Sequence, residues 1–308
     1  MSVITPDTAR DQSTASVLTA LAANATIAVA KGTAAALTAS PALLAETLHT
    51  LADTGNEVLL WIALRRSRRA PDATHPFGYG PERYYWALLA AVAMFVVGGT
   101  LSVWEGIRSL IDPLPLEAFW PGVAVLVIAL VLDSVSRTVA VRQLRRQAKQ
   151  RGVTVRELLR ESPDPTVVTV YLEDSIDVLG AALALIALIL HRVTGSALPD
   201  ALVTIVIGLL LGYVALKLTS RNRQLLSNQS IPDRYKDQLR ERLGAAAGVE
   251  DVARLEAVYL GPGEVLVAAD VRMVSGLSGA EVTAALERIR DDAAREVPVI
   301  ARLYLTPV

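Results

Sequence analysis

The chain predicts a membrane-embedded α-helical bundle with a small soluble α/β domain at its C-terminal end. Three observations point there. Six long apolar stretches follow one another, basic residues crowd alternate connections between them, and the character changes to amphipathic and alternating segments after about residue 230. The balance fits: 52% of the 308 residues are hydrophobic, and the formal net charge of −1, from 30 basic and 31 acidic residues, is unevenly spread along the chain.

Crossing about 30 Å of hydrocarbon takes about 20 apolar residues in a helix. Residues 16–37, 43–64, 84–110, 119–141, 167–191 and 197–218 meet that length. Ser40-Pro41 turns the first pair, Asp112-Pro113-Leu114-Pro115 ends the third, and Thr194-Gly195-Ser196 links the last two. Residues 1–15 form a polar tail that includes acids, unlike the basic start of a secretory signal, so the first span is expected to be retained.

Positive charge orients the bundle. Arg65, Arg66, Arg68, Arg69 and Arg83 fall between spans two and three. Arg142, Arg145, Arg146, Lys149, Arg151, Arg156 and Arg160 fall between spans four and five, and Lys217, Arg221 and Arg223 close span six. Both termini are therefore expected in the cytoplasm, in a bacterial inner membrane. Basic runs hugging span ends read as topology signals rather than as a nucleic-acid surface.

The division expected is a 16–220 transmembrane domain followed by a 221–308 cytoplasmic domain. In the latter, an amphipathic segment at 233–247 precedes alternating runs at 252–259 and 265–274, joined by Gly261-Pro262-Gly263. A helix at 279–296 leads to a last strand at 299–305. The order αββαβ predicts a ferredoxin-like layer of helices on one sheet face.

No Cys is present, which removes disulfides, iron–sulfur clusters and thiolate metal sites, and only His49, His75 and His191 could supply imidazole. Any metal site must rest mainly on carboxylates. Glu46, His49, Asp53 and Asn56 are spaced 3, 4 and 3 in span two, so all four share one helical face. In span five, Glu173 and Asp177 are one turn apart, while Asp174 points about 100° away from Glu173. Ionisable groups at bilayer depth cost about 2.5–3.5 kcal/mol each and are functional by default. His49, Asp53, Glu173 and Asp177 could close a four-ligand shell around Zn2+, or around Mn2+ with added water. Protons competing with metal for one ligand set give metal/proton exchange, with neutral His49 the coupling residue. Glu46, Asn56 and Asp174 are weaker ligand candidates. Asp133 and Arg137 form an i,i+4 pair expected to satisfy itself. Asn24 and Lys31 in span one remain open, with Lys31 either snorkelling or neutralising a neighbouring acid.

The H-T-L-A-D run at His49, the R-R-S-R-R-A-P-D-A-T-H-P-F-G-Y-G segment after span two, Trp104-Glu105-Gly106-Ile107, and Leu172-Glu173-Asp174 together resemble the cation diffusion facilitator family of metal/proton antiporters. The resemblance covers essentially the whole chain. It implies six spans, a cytoplasmic α/β domain, homodimerisation, a divalent metal and protons as cargo, and no prosthetic group. It carries the transport site onto His49, Asp53, Glu173 and Asp177. The first span-five position is often His in zinc exporters and is Glu173 here; the last is not always acidic in a Glu-Asp branch, so Asp174 rivals Asp177. A second family site would use Asp72 and His75, but Tyr79 stands where its other His belongs, so His75 is expected to shape the loop. The soluble domain has no His for a metal-sensing cluster.

Two other classes fit less well. An intramembrane metal hydrolase is disfavoured because no H-E-x-x-H helix occurs. A non-transporting partner subunit is disfavoured by the complete ligand set.

Overall fold

The computed structural model describes residues 14–113, 119–162 and 164–308; most of the 1–15 tail and the end of the Asp112–Pro115 break lie outside them. The apolar stretches become long helical rods. These are α1 (Thr14–Thr38), α2 (Pro41–Ser67), the pair α3 (Glu82–Ala93) and α4 (Leu101–Ile111), α5 (Phe119–Arg151), α7 (Pro165–Thr194) and α8 (Leu198–Leu226). A π-helical segment, Met94–Thr100, joins α3 to α4 without a break. Four of the described rods are long and apolar enough to cross a membrane: Glu82–Ile111, Phe119–Gln150, Val168–Thr194 and Leu198–Leu226. The α2 rod has 27 residues, but its own acidic stripe lowers its apolarity. The chain is thus a membrane protein whose described part shows fewer apolar spans than the six expected.

Helices α1, α2, α5 and α7 pack around one another, and α3–α4 with α8 flank them along α2 and α7. At the outer end, opposite the soluble domain, Ser40 caps α2 by accepting from the Leu43 amide, and Pro41 occupies the first turn. Asp200 of α8 accepts from the Ser40 hydroxyl at 3.2 Å and lies 2.8 Å from Nδ1 of His191, in the last turn of α7. One buried carboxylate therefore pins the outer ends of α2, α7 and α8.

Helix α5 continues to Arg151, ten residues past the expected end at 141, because no breaker intervenes before Gly152, whose φ of 64 stops it. A short α6 (Val155–Glu161) follows, started by a capping box between Thr154 and Glu157. The Glu157 carboxyl accepts Thr154's amide and hydroxyl hydrogens, and this holds it below the usual glutamate range. Helix α8 runs through Leu226, so the expected division at residue 221 falls inside a helix.

The soluble domain holds α9 (Asp233–Gly244), β1 (Val249–Gly261), β2 (Glu264–Met273), α10 (Gly279–Glu296) and β3 (Ile300–Pro307), the predicted αββαβ order. The sheet order is β1-β2-β3, with β1/β2 antiparallel and β2/β3 parallel across α10. Val265, Val267, Ala269 and Val271 alternate into the core, where Leu243, Leu286 and Ile289 of the helices cover them. Tyr84 of α3 and Leu225 of α8 belong to this same core. The soluble domain is therefore rooted in two membrane helices. At the junction a Cβ on Gly80 would run into the Leu260 carbonyl, so only glycine lets the β1–β2 hairpin approach the span 2–3 loop this closely.

Candidate metal centre

The 3, 4, 3 spacing has its predicted effect: Glu46, His49, Asp53 and Asn56 are all buried on one face of α2. His49 Nε2 stands 2.6 Å from Asp177 Oδ1 on α7 and 3.4 Å from Asp53 Oδ2 one turn along α2. One ligand atom from each of these three residues lies within 4.8 Å of the other two. Two donors at about 2 Å on a tetrahedral zinc ion stand roughly 3.3 Å apart, so the three side chains would draw closer together on binding one. Nδ1 of His49 and Oδ1 of Asp53 are buried without a hydrogen-bond partner among the described residues. Buried polar atoms left unpaired are costly. An imidazole and two carboxylates with spare lone pairs, converging from two helices, fit a cation.

Glu173 lies one turn before Asp177 and is 8% exposed. Its Oε1 accepts a short hydrogen bond from Asn56 Nδ2, so Asn56 faces Glu173 as a donor. Asp174 turns to α5 instead and accepts from the Ser136 hydroxyl at 3.2 Å. Of the two rival aspartates, Asp177 meets His49. Arg137 does not serve Asp133 as its i,i+4 spacing suggested; its Nε donates to the Ser175 hydroxyl at 3.4 Å, because α5 packs on α7 along this seam.

Three contacts have partners the sequence does not identify, although neutralising an acid is one of the two roles expected of Lys31. Lys31 of α1 reaches Glu46 and Thr50, each at 3.0 Å, and Asn24 donates to Glu57 Oε1 at 2.7 Å. The available signal was the seven-residue interval between Asn24 and Lys31, which keeps both on one face of an apolar helix.

Asp72 and His75 stand apart, in the exposed loop after α2. Asp72 Oδ1 accepts from the Thr74 amide and hydroxyl and the His75 amide, while Oδ2 accepts from the Tyr79 hydroxyl at 2.7 Å. These donors, Thr74 foremost, hold the Asp72 carboxyl well below the usual aspartate range. The His75 ring stacks on Tyr79 with centroids 4.1 Å apart. Here Tyr79 closes the turn, and both Asp72 and His75 are spent on loop shape.

Outward of the centre, Ala42, Leu43, Ala184, Ala187 and Leu188 are all buried, while the Asp177 side chain is 20% exposed and Ser136 and Arg137 on α5 are exposed.

Residues 17–227 match the model of the cation efflux transmembrane domain. The chain is 34% identical over 224 residues to metal tolerance protein C4 of Arabidopsis thaliana, covering 73% of this chain and 49% of that one. It is 33% identical over 234 residues to the human mitochondrial proton-coupled zinc antiporter SLC30A9, covering 76% of this chain and 41% of that one. It is 28% identical over 232 residues to the cation-efflux pump FieF of Cronobacter sakazakii, covering 73% and 69%. The chain thus spans under half the length of the plant and human relatives. Two of the three are named as transporters, one of zinc and one of cations, so in their names the metal is cargo. The match over most of its length and the site on α2 and α7 agree: the chain belongs to the cation diffusion facilitator family, a family of cation transporters and not of enzymes.

Proposed function

We propose that the chain is a six-span secondary transporter that exports a divalent metal cation, Zn2+ first, from the cytoplasm in exchange for protons. The observation that carries the proposal is the convergence of His49 and Asp53 on α2 with Asp177 on α7, their ligand atoms within 4.8 Å of one another. Glu173, the fourth ligand in this reading, lies one turn inward on α7 outside that cluster, with its Oε1 held by Asn56. Metal enters from the cytoplasmic side, displaces the protons of the acids and binds neutral His49. Rocking α2 and α7 apart on their outer side then releases it, and protons refill the ligands.

A single imidazole with three carboxylates suits Zn2+ and also tolerates Mn2+, Fe2+ or Co2+ with water. The names of the relatives support Zn2+ and proton coupling, since one is called a proton-coupled zinc antiporter. A bacterial cell membrane is the setting this reading assigns, and one of the relatives comes from a bacterium. Both termini and the soluble domain lie on its cytoplasmic side, where the basic connections are, and the working unit is a homodimer.

The test is uptake into proteoliposomes across Zn2+, Mn2+, Fe2+, Co2+ and Cd2+ with internal pH recorded. Metal flux with opposing proton flux is expected, and Asp53→Ala is expected to abolish both. Intact flux in Asp53→Ala would refute the site, and flux without a pH change would refute exchange.

A further inference from the structure

A second charged layer lies one helical turn outward of His49 and recruits a helix that supplies no metal ligand. Lys31 of α1 is 1% exposed, with its ammonium 3.0 Å from Glu46 Oε2 and 3.0 Å from the Thr50 hydroxyl. Thr50 in turn donates to the Glu46 carbonyl at 2.9 Å. Glu46 is 0% exposed, and its Oε1 has no hydrogen-bond partner among the described residues. That oxygen rests against Gly180 of α7, where any Cβ would collide with it. Gly180 is three residues from Asp177, so the same turn of α7 serves both layers.

An ammonium or a carboxylate alone at this depth would be driven to lose its charge or to find water. Together they neutralise each other and can stay dry. Outward of them lie buried apolar side chains, Leu43, Leu126, Ala184 and Leu188 among them, up to the Ser40–Asp200–His191 knot. The pair is thus a charged layer between the cation site and the outer plug. Asp133 of α5 and Asp177 of α7 are the other acids whose field reaches Lys31.

We infer that Lys31 is a positioning residue of the transport site. Its ammonium fixes Glu46 across the junction of α1, α2 and α7, and this layer seals the site from the outer side. Lys31 is a tethered cation already seated on the outer carboxylate. A divalent ion arriving from the inner side therefore finds Glu46 occupied and stops at the His49 layer. The inference rests on the transport site proposed above.

The absence of cysteine makes the seal directly measurable, because Ala184→Cys introduces one reporter into the outer plug. Cells carrying that variant are treated with a membrane-impermeant maleimide on the side opposite the soluble domain. Slow labelling is expected. Adding Lys31→Met or Glu46→Gln is expected to raise the rate by about tenfold or more, because one buried partner is left unpaired. Lys31→Arg, and the exchanged pair Lys31→Glu with Glu46→Lys, are expected to restore protection, which a general packing defect would not. An unchanged rate in Lys31→Met overturns the inference. Should the single variants fail to fold, the exchanged pair decides. Protection supports the seal, and labelling as fast as in unfolded protein overturns it. Labelling needs no metal, whereas failure of the parent chain to bind Zn2+ in calorimetric titration would refute the cation site itself.

Discussion

Asn56 separates holding a ligand from being one. It is 1% exposed, its Nδ2 donates to Glu173 Oε1, and its Oδ1 has no partner among the described residues. Asn56→Ala removes the one polar atom among the described residues seen to orient Glu173. Partners that orient a ligand are worth about 10–100-fold in metal affinity, which is about 1.4–2.8 kcal/mol. A hydrogen bond to a charged group is worth about 1.5–3 kcal/mol, so two independent scales agree. The expected result is Zn2+ affinity about 10–100-fold weaker by competition with a chromophoric indicator. Asn56→Asp discriminates further. As donor to Glu173, Asn56 cannot be replaced by an acid, and affinity falls. As an oxygen ligand it could be, and affinity would hold or rise. Asn56→Ala within about twofold of the parent would refute the orienting role, and retained affinity in Asn56→Asp would make Asn56 a ligand.

Two further outcomes concern the soluble domain. Tyr84 is 0% exposed in that domain's core, and its hydroxyl has no hydrogen-bond partner among the described residues. Tyr84→Ala is therefore expected to cost about 3–5 kcal/mol, as for other large aromatic truncations, whereas Tyr84→Phe is neutral or stabilising. Denaturant unfolding followed by near-UV dichroism checks this, and equal losses in both variants would contradict the packing argument. At the start of α10, the Ser278 hydroxyl and amide donate to Glu281 and hold its carboxyl below the usual range. A depressed carboxylate stabilises fully above the unfolded value, about 4.3, and that stabilisation is lost as pH falls through the folded value. Exchange of the Glu281 amide, corrected for its intrinsic pH dependence, is expected to quicken below about pH 4 in the parent but not in Ser278→Ala. Equal pH dependence in both would rule out the capping box as its source.

How far the sequence reaches depends on whether a feature is local. The face shared by Glu46, His49, Asp53 and Asn56 is helical geometry, and the αββαβ order comes from alternation and the Gly261-Pro262-Gly263 turn, where Gly263 has a φ of 78. The end of α5 is not legible because Arg and Gln continue a helix in water as readily as Val does in lipid. The π-helical segment at Met94–Thr100 leaves no periodic mark, since one wide turn only shifts the phase of the helix beyond it. The choice between Asp174 and Asp177 needs the rotation of α7 about its own axis, and that is set by packing against α2 and α5. The partner of Lys31 is equally non-local. Its spacing puts it on a face, but fifteen residues and a turn separate it from Glu46.

The two seams of α2 differ in what holds them. Toward α1, Lys31 bonds Glu46 and Thr50 outward of the ligand layer, and Asn24 bonds Glu57 inward of it, so this seam is tied on both sides. Each tie satisfies an acid with a donor on the neighbouring helix. Toward α7 the chemistry is reversed. Asp53, Asp177 and Glu173 bring like charges together, with one imidazole and one amide among them. Like charges at this range repel unless protons or a cation intervene, and burial sharpens the repulsion. Glu46 lies against the bare backbone of α7 at Gly180, and its Oε1 has no hydrogen-bond partner among the described residues. The α1–α2 seam is therefore held by donors matched to acids, while the α2–α7 seam gathers acids that protons or a cation neutralise. On the transport reading proposed above, occupancy by metal or protons acts on α2 against α7, and α1 travels with α2.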